Sequence, residues 1–322
     1  MRCPQRGGAG LMSVSDVDIS WPMLHQIVRD WAGSSAELCE FSPLDGGSIN
    51  TTLLLTLKDG RRAVLKITPH RVDRAYEDEA YQLRMLSSAG LPVPQVYRVF
   101  CGSLESPYSY LMMEFVDGID LNRARVRCSG EQFDGLQRQL AELLLRLHAT
   151  TGDQFMRVST REVPRFDEWH ACFRDSFDSI WREVEKTNVL PVKLRKAVHK
   201  LHDRLDRVLH YHDTPRLLHG DCWSTNILVR PNDHGQWRVA AVLDPNSKFG
   251  CPEAELAYLD LFHTATPAFF KAYQHERRLP PEYHQFRKPV YQLYSLVNHV
   301  RLFGHEYAKA LCAQAEKVAA LV

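Results

Sequence analysis

The run Leu218-His219-Gly220-Asp221-Cys222-Trp223-Ser224-Thr225-Asn226-Ile227-Leu228-Val229 is a polar, glycine-containing loop that leads into a short apolar strand. Turn residues follow at Pro231, Asn232, Asp233 and Gly235, and Trp237 to Leu243 returns as a second strand ending at Asp244. An antiparallel hairpin brings its two ends together, so Asn226 and Asp244 are expected side by side. Their oxygens are hard donors that suit Mg2+, which keeps its remaining positions for water and phosphate. Asp221, five positions before Asn226, is then left to accept a hydroxyl proton. A turn aspartate, a strand-start cap and a helix cap could each occur alone, but that reading must explain all three spacings by coincidence.

Upstream of this loop the sequence is strand-rich. Leu44-Asp45-Gly46-Gly47-Ser48-Ile49-Asn50 reads as a glycine turn, Thr51 to Leu57 as a strand, Asp59-Gly60 as a hairpin signal and Arg61 to Ile67 as the return strand. The return strand carries Lys66 between apolar neighbours, and a lysine in such a strand needs a partner. Residues 74–89 have Tyr76, Ala80, Leu83 and Leu86 at helical spacing, with Gly90, Pro92 and Pro94 as stop signals. Glu79 on that helix is the candidate partner, with Glu77 close beside it. Val96 to Val99 and Tyr108 to Phe115 read as further strands, and 21–33, with Pro22 in its first turn, as a helix.

Downstream the pattern becomes helical. Leu136, Leu140, Leu143, Leu144 and Leu147 mark one long helix, and Leu194, Val198, Leu201, Leu205, Val208 and Leu209 mark another. Strands occupy 217–243, and helices resume near 253. The expected fold is α+β: residues 1–15 as a leader with Met12 as an alternative start, 16–117 as a small antiparallel-sheet lobe with one inserted helix, and 118–322 as a large helical lobe.

Composition narrows the function. The chain has 322 residues, 44% hydrophobic and 25% charged, enough for a packed core. Forty basic against 39 acidic side chains leave a net charge of +1, which argues against a nucleic-acid partner. No apolar run is long enough for a membrane span, and the start lacks the apolar core of a secretory signal. Eight cysteines are scattered without CxxC or zinc spacing, and are expected as reduced thiols in a cytoplasmic protein. A monomer or weak dimer is expected.

An aspartate, an asparagine five residues on and a metal-binding aspartate after a hairpin form the layout of phosphoryl-transfer enzymes. In that layout Lys66 and Glu79 hold ATP. Gly46, Gly47 and Ser48 let backbone approach phosphate, and Asn50 adds a side-chain donor. Met112-Met113-Glu114-Phe115-Val116 offers apolar surface and backbone bonds to adenine, which places Glu114 and Phe115 at the nucleotide.

The motif from His219 to Asn226 resembles the phosphotransfer loop of the aminoglycoside phosphotransferase/choline kinase superfamily and, more narrowly, that of the fructosamine (ketosamine) kinases, which reads H-G-D-L-W-S-G-N. Trp223 is the distinguishing residue. Phe249-Gly250-Cys251-Pro252-Glu253-Ala254-Glu255-Leu256-Ala257 is similar to the family's Y-G-D-R-E-x-D-L-A, and residues 291–304 to its Y-x-L-Y-x-L-L-N-H-x-N-L-F-G run. The resemblance spans about 40–310 and implies a protein-kinase-like, two-lobed fold. It also implies ATP- and Mg2+-dependent phosphorylation of a sugar hydroxyl on a small or protein-bound ketoamine. Asp221 would be the base, Asn226 and Asp244 the metal ligands, and Trp223 a substrate contact able to make a cation–π interaction with a charged amine. Cys222 in place of Leu, Cys251-Pro252 in place of Asp-Arg, and Asn246 in place of Ala depart from the pattern near the expected acceptor, where Asn246 and Glu253 are the further candidate substrate residues. Glu253 and Glu255 are read as either solvated or lining the acceptor pocket. His148, His299, Trp169 and Trp181 are read as core residues. Kinases of another metabolite, of aminoglycosides or of choline, and a nucleotide-binding pseudokinase, are the alternatives. The last predicts loss of one of Lys66, Asp221, Asn226 or Asp244, and all four are present.

Overall fold

The structure, a computed structural model, describes residues 12–14, 17–44, 51–69, 74–102, 108–210 and 214–321. The glycine turn with Gly46, Gly47, Ser48 and Asn50 lies outside the described residues. The chain divides into two compact units, one of residues 1–87 and 93–117, the other of 88–92 and 118–322.

The first unit is a five-stranded antiparallel sheet with a helix on each face. β1 (Met12–Val14), within the segment read as a leader, pairs with β2 (Val17–Ile19) just beyond it. Ser20 then caps α1 (Trp21–Ala32), its side chain accepting from the Met23 N–H, and Gly33 ends the helix at φ +98°. The sheet runs in the order β3 (Leu38–Pro43), β4 (Thr51–Leu57), β5 (Arg62–Pro69), β7 (Tyr108–Glu114), β6 (Val96–Phe100). Sequence reading missed β3, which has only a partial alternation to offer, half of its residues being neither buried nor fully exposed. The single helix expected inside this unit is α2 (Ala75–Ser88), and α1 precedes the sheet.

Side-chain alternation decides what each face carries. Ala63, Leu65 and Ile67 of β5 join Leu53, Leu55, Tyr110 and Met112 in a core closed by Leu24, Ile27 and Val28 of α1. The intervening Val64 lies on the other face with Leu111 and Met113, against Tyr76, Ala80 and Leu83 of α2. Lys66 shares that second face, which brings it under α2.

The second unit opens with β8 (Ile119–Asp120), α3 (Leu121–Arg127) and α4 (Gly130–Leu147), the last started by a capping box between Ser129 and Gln132. β9 (Met156–Arg157) and α5 (Trp169–Lys186) follow, with Trp169 and Trp181 buried. The apolar stripe at 194–209 is two helices, α6 (Val192–His202) and α7 (Leu205–Val208), and not one. The stripe continues across the break, so periodicity does not register the stop at Asp203 and Arg204, where the Arg204 N–H tightens onto the Leu201 carbonyl. β10 (Arg216–Leu218), β11 (Ile227–Pro231), β12 (Trp237–Val242) and β13 (Lys248–Gly250) form two small sheets, β12-β11-β8 and β10-β13-β9. The chain then folds as α8 (Pro252–Leu261), α9 (Pro267–Glu276), α10 (Lys288–Phe303) and α11 (Ala308–Ala319). Among the described residues no helix is long and apolar enough to cross a membrane. Among the described residues six cysteines are free thiols, whereas Cys39 is disulfide-bonded, against the expectation of thiols throughout.

Leu83 docks α2 on the sheet and is 1% exposed. Leu83→Ala is expected to lower unfolding free energy by about 2–5 kcal/mol in a denaturant titration. A change near zero would contradict this docking.

Candidate active site

The loop from His219 to Asn226 joins β10 to β11 and is crossed by the segment after β12. The Asn246 N–H donates to the His219 carbonyl at 2.9 Å. At Gly220, φ is +83°, and a Cβ there would lie 2.0 Å from the Asn246 carbonyl oxygen. Only glycine fits both the left-handed backbone and the crossing chain. The loop then folds on itself: Trp223 N–H donates to the Asp221 carbonyl at 3.1 Å, Asn226 N–H to the Trp223 carbonyl at 2.9 Å, and Asn226 Nδ2 to the Asp221 carbonyl at 3.0 Å. Trp223 is half-buried there.

Helix α8 holds this loop from below. Glu255 is 4% exposed, and its carboxylate accepts from Gly220 N–H at 2.6 Å and from His219 N–H at 3.4 Å. Its Oε2 also meets His148 Nε2 at 2.9 Å, and His148 Nδ1 meets the Tyr273 hydroxyl at 2.7 Å. One carboxylate thereby ties α8, the end of α4, α9 and the loop. Burial by itself raises the Glu255 carboxyl, but the His148 hydrogen bond and charge, His219 and the Gly220 N–H outweigh it and hold the group below its ordinary value. His219 is fully buried, and burial pushes its imidazole below the usual histidine range. Its Nδ1 accepts the Asp221 N–H at 3.3 Å, which leaves the ring proton on Nε2.

One turn further along α8, the Tyr258 hydroxyl donates to Asp221 Oδ1 at 2.5 Å. Asn226 Nδ2 approaches Oδ2 at 3.4 Å. Burial raises the Asp221 carboxyl, partly offset by the Tyr258 hydrogen bond. A carboxylate made more basic in this way is a better proton acceptor.

Asn226 and Asp244 stand at the same end of the β11–β12 hairpin. Ile227 pairs with Val242, and Leu243 N–H donates to the Asn226 carbonyl at 2.8 Å. Asp244 is exposed and holds φ at +54°, a strained conformation for a non-glycine residue and one that clusters at functional sites. With Asn226 Nδ2 engaged by the Asp221 carbonyl, its Oδ1 is the remaining acceptor. The pair offers one amide and one carboxylate oxygen donor, a set that fits Mg2+.

In the first unit, Lys66 Nζ lies 2.6 Å from Glu79 Oε1, with the side chains 13% and 16% exposed. Glu77 pairs with Arg74 at 3.5 Å, so Glu79 is the lysine's partner of the two. The Glu114 carboxylate accepts from the Gln95 N–H at 3.1 Å, and the Arg62 guanidinium sits 4.3 Å from the Phe115 ring centre.

Glu253 does not stand at the loop. Its carboxylate takes a bidentate pair from Arg287, at 2.6 Å from Nε and 2.8 Å from Nη2, with side chains 8% and 12% exposed. Neither Glu253 nor Glu255 is solvated. The reason is helical phase: 255 and 258 face the loop, whereas 252, 253 and 256 line a cavity of about 450 Å3 together with Arg287. Asn246 is exposed, and it meets the loop through its backbone. His148 and His299 are structural, His299 Nδ1–H donating to the Ser295 carbonyl at 2.8 Å. Tyr258 and Arg287 went unread in the sequence; an acid followed three residues later by a tyrosine in a helix just after the hairpin was the available signal.

The family model for fructosamine kinases matches residues 20–320. A probable ketoamine kinase of Enterococcus faecium is 31% identical over 82% of this chain and 90% of its own length. The chloroplastic protein-ribulosamine 3-kinase of Oryza sativa is 26% identical, covering 87% and 80%. Among solved structures, a candidate fructosamine-3-kinase of Haemophilus somnus superposes with a TM-score of 0.73 at 20% identity, covering 92% of this chain and 97% of that one. The GDP and kanamycin complex of the aminoglycoside phosphotransferase APH(2″)-IIIa gives 0.63 at 15% identity, covering 93% and 99%. These likenesses establish a kinase-like fold, with an antiparallel-sheet unit and a largely helical remainder.

Two outcomes test the loop's support. Gly220→Ala is expected to cost about 3 kcal/mol or more, the sum of left-handed strain and overpacking, and to abolish turnover. For Glu255, a folded-state value below 4.5 means its contribution is complete above 4.5 and is lost as pH falls through the lower folded value. Unfolding curves of wild type and Glu255→Gln should therefore differ most at neutral pH and converge under acid. A gap that widens on acidification would contradict this.

Proposed function

The chain belongs to the fructosamine kinase family, and on that premise we propose that it transfers the γ-phosphoryl group of ATP, with Mg2+, to a sugar hydroxyl of a ketosamine, small or protein-bound. The observation that carries this reading is the braced Asp221 carboxylate on a loop that ends at a pair of hard oxygen donors.

Asp221 receives the acceptor hydroxyl and takes its proton as the oxygen attacks phosphorus. Lys66, kept in place by Glu79, binds the nucleotide phosphates, and Glu114 and Phe115 border the adenine. Gly46, Gly47, Ser48 and Asn50, which lie outside the described residues, are kept as nucleotide contacts on their sequence alone. Asn226 and Asp244 would hold Mg2+, which when bound would neutralise charge on the phosphate oxygens. Trp223 offers an aromatic face to the acceptor, and Asn246 lies exposed beside the loop. Glu253 is left out of this acceptor site, because Arg287 holds its carboxylate at a cavity apart from the loop. The protein does little covalent chemistry: positioning and electrostatics supply most of the rate.

The experiment is ADP release from Mg2+-ATP with fructosyl-lysine, ribosyl-lysine, kanamycin, choline or no acceptor. Selective turnover of a ketoamine is expected. Asp221→Asn should lower turnover at least about 100-fold while ATP affinity changes little. Full activity in that variant overturns the base assignment. Turnover of only a non-ketoamine acceptor overturns the substrate.

A further inference from the structure

The loop is gripped by one face of α8 at two successive points, and the proposed reaction uses neither. Glu255 takes the backbone N–H groups of His219 and Gly220, and Tyr258, three residues on, takes the Asp221 side chain. The 2.5 Å contact from the Tyr258 hydroxyl to Oδ1 is a charge-assisted hydrogen bond of the short, strong kind. The tyrosine ring is itself held: Phe262 lies 4.8 Å away, centre to centre, and His299 stacks on Phe262 at 4.5 Å. A carboxylate free to turn about its last torsion offers either oxygen, with about four lone-pair directions. Here one oxygen is taken by a donor that cannot move away without repacking an aromatic cluster. The other carries only the longer Asn226 approach at 3.4 Å.

We propose that Tyr258 is a positioning residue for phosphoryl transfer: its hydroxyl fixes the Asp221 carboxylate through Oδ1 so that Oδ2 is presented to the acceptor hydroxyl. This rests on Asp221 being the base. The hydroxyl proton passes to Oδ2, the acceptor oxygen forms its bond to phosphorus as the bond to the leaving ADP oxygen breaks, and Tyr258 keeps its own proton throughout. Near-attack geometry tolerates errors of a few tenths of an ångström, so loss of the phenol should slow the chemical step and leave nucleotide binding alone.

The test is a double-mutant cycle on Tyr258→Phe and Asp221→Asn, with residual rates followed by radiolabelled ATP. It is run on whichever acceptor the wild type turns over, with ATP hydrolysis alongside, so that a wrong acceptor class leaves the cycle readable. Tyr258→Phe, which keeps the ring, should lower kcat about 10-fold with KM for ATP unchanged. The double variant should be no slower than Asp221→Asn alone, because the hydroxyl acts only through that carboxylate. Tyr258→Leu controls for packing. Wild-type kcat in Tyr258→Phe, multiplicative losses in the double variant, or activity that follows melting temperature across Phe and Leu would each overturn the proposal. Activity retained by Asp221→Asn would instead overturn the base assignment beneath it.

Discussion

A carboxylate buried beneath a loop is costly to fold, because desolvation opposes the charge unless both of its oxygens find donors. Glu255 meets that condition with the N–H groups of Gly220 and His219 and the imidazole of His148. Its position fixes more than its own environment. It holds the two peptide planes that lead into Gly220, and Gly220 can take its left-handed turn under the Asn246 carbonyl only because no side chain is present there. Through His148 and Tyr273 it also locks α4 and α9 to α8. The loop therefore rests on helices as well as on the segment that crosses it at Asn246, which is what a precisely held carboxylate needs.

Much of this was legible in the sequence where the determinants are local. The hairpin from Ile227 to Val242 follows from strand composition, turn residues and spacing, and those features also put Asn226 and Asp244 at one end. Lys66 and Glu79 were legible because two periods suffice: alternation sends Lys66 to the face of Val64, and helical phase sends Glu79 to the same place as Ala80 and Leu83. What stayed hidden depends on partners far along the chain. Glu255 meets residues 35 and 107 positions away, and Glu253 meets Arg287, 34 positions on. Helix α8 is buried on nearly all sides, so no polar face announced which acid turns toward the loop.

The departures from the family pattern also acquire a physical setting. Cys222 is fully buried within the loop, and Cys251 is fully buried ahead of α8, with Pro252 starting that helix. Neither restores the charges that the family's Asp-Arg would bring. The ion pair that does stand in this region, Glu253 with Arg287, borders the cavity on the side of α8 away from Asp221. The loop thus keeps His219, Gly220, Asp221, Trp223, Ser224 and Asn226, and the charge differences fall around α8.

In the proposed reaction a sugar hydroxyl receives the phosphoryl group in a step that depends on Asp221. The most direct measurement is phosphorus NMR and mass spectrometry of fructosyl-lysine after incubation with the protein and Mg2+-ATP. One phosphate ester on the sugar is expected, formed by the wild type and absent with Asp221→Asn. Phosphate found on the amine, or an ester formed equally well by the variant, would contradict that reaction.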